Sequence, residues 1–179
     1  MFNKWVPEGT DIQTDGNGKK TNGKKDNTKN TAREVDAGSS NTKVNTILKG
    51  SKLTGDINVT CDVELSGDIE GNIKSEQNSK IVIKGTCKGM VEAREGSVYI
   101  EGELKGGNII AGNNVNISGK FSGGEIKAKK IYINGEFSGK LEGDEIEIGP
   151  GAQGNGKILY KEYISISKGA QIEAEISRL

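Results

Sequence analysis

Apolar and polar residues alternate along this chain in short bursts, each closed by a glycine. One burst reads Val63-Glu-Leu65-Ser-Gly67-Asp-Ile69-Glu-Gly71, and a later one reads Val98-Tyr-Ile100-Glu-Gly102-Glu-Leu104-Lys-Gly106. Val115-Asn-Ile117-Ser-Gly119-Lys-Phe121-Ser-Gly123 and Ile131-Tyr-Ile133-Asn-Gly135-Glu-Phe137-Ser-Gly139 repeat the pattern. Strict alternation over a few residues predicts strands with one set of side chains on each face. The glycines cut these strands short, as tight corners require. The apolar residue two before the corner falls at Leu48, Leu65, Ile83, Ile100, Ile117, Ile133, Ile148 and Ile166, in steps of 15 to 18 residues. Its inward partner is placed at Thr46, Val63, Ile81, Val98, Val115, Ile131, Ile146 and Ile164.

Eight turns of about 17 residues predict an all-β fold, a single-stranded β-helix (β-solenoid) with three short faces per turn. A hexapeptide helix keeps a stricter six-residue beat and fits less well. Stacked strands lie about 4.8 Å apart, so eight turns make a rod of roughly 38 Å. Composition agrees: 32% of residues are hydrophobic, 27 are Gly and two are Pro. A lean, Gly-rich chain suits a fold in which each turn buries only its inward side chains.

The pattern is absent before Val44. Residues 7–43 run through Gly, Asn, Thr, Asp and Lys, and hold too little apolar surface to offset the entropy of ordering. The expected organisation is a disordered tail over 1–43 and a β-helix over 44–179. The tail carries eight basic and six acidic groups, net +2, and the remainder 17 and 19, net −2. Overall the 25 basic and 25 acidic residues cancel, which gives nucleic acid no electrostatic footprint to bind. No apolar run among the first thirty residues exceeds Trp5-Val6, and no stretch approaches the ~20 residues of a membrane span. The expected location is the cytoplasm.

Candidate chemistry is sparse. Cys61 and Cys87 are placed on inward positions as core thiols, and with zero His neither completes a metal site. Gly149-Pro-Gly151-Ala-Gln-Gly154 matches a dinucleotide fingerprint, but the chain continues into another strand pattern at Lys157-Ile158, without the helix that would hold a pyrophosphate. The acidic pairs Asp144/Glu145 and Glu101/Glu103 alternate with lysines as a solvated surface does, and turns of nearly equal length leave no inserted loops to build a cleft. The expectation is no enzyme activity, no metal and no cofactor. Outward Tyr99 and Tyr132, with Val82, form an apolar strip on one face and a candidate lateral contact.

The two ends of the rod are more informative. The approach Ala37–Lys43 is polar, the far end reads Ile176-Ser-Arg-Leu179, and neither shows a helical cap. An uncapped turn exposes strand edges and core, so rods are expected to stack end to end. The contact residues expected at the N-terminal end are Val44, Leu48, Leu53 and Ile57. At the C-terminal end they are Ile164, Ile166, Ile172 and Ile176.

A ladder of such turns behind a chain start reading Met-Phe-Asn-Lys resembles the bactofilins, the bacterial polymer-forming cytoskeletal family. The resemblance covers about Val44 to Leu179 and Met1 to Lys4. It implies a right-handed, roughly triangular β-helix and nucleotide-free assembly into non-polar filaments. It also implies attachment to membrane lipid by the N-terminal peptide, on the cytoplasmic face of the inner membrane, and recruitment of cell-wall-modifying enzymes or other morphogenetic partners. Met1, Phe2, Trp5 and Val6 suit the apolar side of such an anchor, and Lys4 suits anionic lipid. The short C-terminal end departs from the family pattern and leaves Asn3–Lys43 as the recruitment segment. The competing reading is a non-polymerising solenoid adaptor that holds a protein partner on one face.

Overall fold

The computed structural model describes residues 44–179, which build parallel strands and no helix. The first turn consists of β1 (Val44–Ile47), β2 (Lys52–Thr54) and β3 (Ile57–Val59). The same triplet repeats as β4 (Asp62–Leu65), β5 (Asp68–Glu70) and β6 (Ile73–Ser75), then β7 (Lys80–Ile83), β8 (Thr86–Lys88) and β9 (Val91–Ala93). The fourth turn is β10 (Ser97–Ile100), β11 (Glu103–Lys105) and β12 (Ile109–Ala111), and β13 (Asn114–Ile117) opens the fifth. Beyond it the strands run on around the corners as β14 (Lys120–Ile133), β15 (Glu136–Ile148), β16 (Gln153–Ile166) and β17 (Gln171–Arg178). Each segment pairs in parallel with the segment one turn away: β1 with β4, β4 with β7, β7 with β10 and β10 with β13. That stacking makes three faces, begun by β1, β2 and β3 respectively.

Because strand side chains alternate, one column or two per face points inward and stacks on itself. On the first face Val63, Ile81, Val98, Val115, Ile131 and Ile146 form one buried column, with Leu65, Ile83, Ile100, Ile117, Ile133 and Ile148 beside it. The second face contributes Ile69, Cys87, Leu104, Phe121 and Phe137. The third contributes Ile73, Val91, Ile109, Ile126, Leu141 and Ile158, beside a column of small residues that includes Ser75, Ala93 and Ala111. Each large aliphatic side chain so buried contributes roughly 1.5–3 kcal/mol, and stability accumulates turn by turn. The one buried polar pair satisfies itself: the Ser75 and Ser79 hydroxyls lie 2.5 Å apart, and the Ser75 hydroxyl also donates to the Gln77 carbonyl.

Gly102 shows what the corners require. A Cβ there would run into the carbonyl oxygens of Gly85 and Lys84 in the turn beneath. Gly85, Gly119 and Gly135 meet the same obstacle, each over the carbonyls of the preceding corner's glycine and the residue before it. The stack of corners closes only where side chains are missing.

The first turn corrects the expected phase. Val63 pairs with Asn45 and Leu65 with Ile47, so the inward positions are Asn45 and Ile47 rather than Thr46 and Leu48. The reason is a wider corner. Four residues, 48–51, separate β1 from β2, whereas two separate β4 from β5. Gly50 therefore lies within a broader bend and is not the counterpart of Gly67. Ser51 is, and its carbonyl accepts from the Asp68 amide. Cys61 also departs from expectation: it is half-buried in the corner before β4, with its Sγ accepting from Asn45 Nδ2 at 3.2 Å.

Candidate assembly surfaces

The end turns, unlike the six between them, lack a neighbour on one side. Among the described pairings, β1, β2 and β3 bond to the second turn alone. In the last turn, Tyr163–Ile166 and β17 bond only to the turn below. Each end thus presents a row of strand edges on three sides.

The side chains follow. Ile133 and Ile148 are buried on the first face, but Ile166, next in their column, is 48% exposed. On the third face Ile158 is buried and Ile176 above it is 42% exposed. Ile164 and Ile172 are half-buried against the core. At the other end Ile47, Leu53 and Ile57 cap the inward columns and are half-buried. Val44 points outward at the rim and Leu48 occupies the wide corner, both exposed. Seven of the eight expected contact residues therefore lie on strands of the end turns, six of them in inward columns, of which Leu53, Ile57, Ile164 and Ile172 pack against the core. Leu48 and Val44 belong to the rim. Ile47 was missed, because the glycine spacing conceals the extra corner residues. Met1, Phe2, Lys4, Trp5 and Val6 lie outside the described residues, as does the rest of the expected tail over 1–43.

The lateral faces carry charge ladders. On the second face Glu70 stands between Lys52 at 3.7 Å and Lys88 at 3.0 Å, one turn to either side. The Lys88 hydrogen bond, helped by the Lys52 charge, holds the Glu70 carboxyl below the usual range. On the third face Lys127 and Lys140 interleave with Glu125 and Glu142, and the Lys140 hydrogen bond lowers Glu142 in the same direction. The first face is less charged at its middle. There Tyr99 and Tyr132 flank Asn116 in a shallow groove of about 270 Å³, and the Lys80 ammonium lies 4.5 Å from the Tyr99 ring centre.

The fingerprint Gly149–Gly154 is a corner. β15 ends at Ile148, four residues turn, and β16 starts at Gln153. The Gly151 amide donates to Asn134 Oδ1 of the corner below. Among the described residues no three His, Cys, Asp or Glu side chains gather as a metal site.

The family model for bactofilin, described as polymer-forming cytoskeletal, matches residues 45–123 and again residues 95–177. The chain belongs to the bactofilin family. The two matches share 95–123 because the bactofilin repeat finds repeated turns: the fourth turn serves late in one match and early in the other. Together they span the solenoid from β1 to β17, so the family resemblance of this bactofilin resides in the stack of turns. No curated protein and no solved structure matches it.

Proposed function

We propose that this bactofilin-family chain is a cytoskeletal scaffold whose rods join end to end, through their first and last turns, into non-polar filaments. The observation that carries the reading is the exposure of Ile166 and Ile176, whose column neighbours are buried in every complete turn. Covering them with another rod extends backbone pairing and apolar packing together. Assembly needs neither nucleotide nor divalent metal, since the Gly149–Gly154 corner leads into a strand and offers no helix N-terminus to a phosphate.

The N-terminal residues couple the filament to the cytoplasmic face of a membrane. Met1, Phe2, Trp5 and Val6 bury apolar surface at the headgroup boundary while Lys4 faces anionic lipid. Six residues anchor a single chain weakly, and a filament presenting many tails gains avidity without a new contact. The segment Asn3–Lys43 recruits envelope-shaping partners to that filament.

Two measurements test this. Polymer mass by sedimentation is expected to be unchanged by ATP, GTP or EDTA, and a severalfold change contradicts nucleotide- and metal-free assembly. Anionic liposomes are expected to pellet the wild type but not a deletion of residues 2–6. A deletion that still pellets places the anchor elsewhere.

A further inference from the structure

The outward residues of the first face follow a self-complementary order along the rod. Its outward pairs, from the second turn to the eighth, are Asp62/Glu64, Lys80/Val82, Ser97/Tyr99, Asn114/Asn116, Lys130/Tyr132, Glu145/Glu147 and Tyr163/Ser165. We propose that this face is a lateral interface with a second copy of the chain, the two rods antiparallel about a two-fold axis through Asn116.

The register follows from charge. An antiparallel two-fold at the fifth turn sets each turn against the one equally far on the other side of Asn116, first position to first and second to second. Lys80 then faces Glu145 of the other copy, and Val82 faces Glu147. Tyr99 faces Tyr132. Asp62 and Glu64 come opposite Tyr163 and Ser165, of which the Ser165 hydroxyl can donate to Glu64 while the Tyr163 hydroxyl is held by Glu147, and the two Asn116 amides exchange donor and acceptor on the axis. Moving the axis half a turn toward the start sets Asp62/Glu64 against Glu145/Glu147 and Lys80 against Lys130. A parallel pair sets Asp62 against Glu64 and Glu145 against Glu147. Like charges so placed exclude both arrangements.

Two further features fit. Lys80 makes no ion pair within the described residues, its ammonium resting over the Tyr99 ring; Glu145, which it faces in the other copy, holds Lys130 at 2.7 Å at the surface and shares its carboxylate between the two ammonium groups. Between Tyr99 and Tyr132 the short Asn116 leaves the groove, which receives the facing tyrosines.

The face is small. Seven turns of four-residue strands cover about 450 Å² per rod, below the ~800 Å² per partner of a stable complex. Single rods therefore pair weakly, and pairing strengthens when end-to-end assembly repeats the face along a filament. That strengthening rests on the proposed polymerisation; the register does not.

The test uses the full chain with Cys61→Ser, carrying Val82→Cys in one preparation and Glu147→Cys in another. A short bifunctional maleimide is expected to yield a covalent dimer when the two are mixed and none from either alone. Adding Lys80→Glu to both is expected to reduce the yield severalfold, and Lys80→Glu with Glu145→Lys to restore it. A dimer from Val82→Cys alone means parallel pairing and overturns the register, as does a yield indifferent to Lys80→Glu. Negative-stain images of the same samples read polymerisation separately. Filaments without the mixed dimer overturn the lateral pairing alone, and a mixed dimer without filaments overturns end-to-end assembly alone.

Discussion

Gly154 stacks directly over Phe137, and a side chain on Gly154 would enter the space the Phe137 ring fills. The two are register partners on the second face, and a Cβ at 154 would come within 2.2 Å of the Phe137 carbonyl oxygen and 2.5 Å of Phe137 Cδ1. The third face compensates in the same two turns: Tyr160 stacks over Gly143, half-buried against the core. Inward volume is large on one face and small on the other below, then the reverse above. The exchange keeps the interior of the two turns filled at close-packed density.

Gly154→Ala is accordingly expected to destabilise the rod by about 1–3 kcal/mol, as an overpacked core substitution does. Phe137→Leu in the same background is expected to recover part of the loss. Thermal unfolding followed by circular dichroism reads both. A Gly154→Ala variant as stable as wild type contradicts the packing account.

Gly102→Ala tests the corners. The obstacle there is backbone alone, with no side chain that could rotate away, so at least one turn must shift. A loss of the order of 1–3 kcal/mol is expected in the same assay. At Gly106, where a Cβ meets nothing within 4 Å, the cost is confined to its φ of +52°, which alanine tolerates poorly. The loss at Gly102 should be the larger.

The repeat was legible because burial writes itself into sequence at period two. From Val63 onward the inward columns of the first face are the residues the pattern assigns. What failed was local. Leu48-Lys-Gly50 has the same spelling as Leu65-Ser-Gly67, yet it spans a corner two residues wider, and no count of apolar spacings distinguishes them. Cys61 lies in the corner between β3 and β4, where the period-two count running back from Val63 no longer holds. The exchange of volume between Phe137/Gly154 and Gly143/Tyr160 links faces that are apart in sequence, so neither pair signals the other along the chain. The ion-pair partners share this difficulty: Glu70 meets Lys52 and Lys88, each 18 residues away.

The thiols should respond differently to reagent. Burial pushes the Cys87 thiol up to about 11 and leaves its side chain inaccessible, whereas Cys61 is half-buried at a corner. A maleimide near neutral pH is expected to modify Cys61 alone in the folded rod and both residues in denaturant. Modification of Cys87 at a comparable rate without denaturant contradicts its place in the core.

The charge ladders set a pH dependence. Glu70 and Glu142 have folded values below the ordinary 4.5, so their contribution is complete above that value and is lost as pH falls through the lowered one. Lys84, Lys120 and Lys130 are raised above 10.5 by hydrogen bonds to Glu64, Glu136 and Glu145. Their contribution is complete below 10.5 and fades above it. These pairs are solvent-exposed and individually small, so the expected profile is a plateau through neutral pH with a shallow decline at each end. Added salt should flatten it. Melting temperature across the pH range reads the profile, and an increase in stability below pH 4 contradicts it.

End-to-end assembly is tested most directly by placing a charge on each exposed end. Leu48→Arg and Ile166→Arg alter residues that are 69% and 48% exposed, so the rod itself should remain folded by circular dichroism. Negative-stain microscopy of the wild type is expected to show long filaments. In a non-polar filament like ends join, so each single variant should stop at pairs of rods held through the untouched end, and the double variant at single rods. Single rods from either variant alone would mean that unlike ends join. Long filaments persisting in both variants, with the fold intact, would contradict assembly through the end turns.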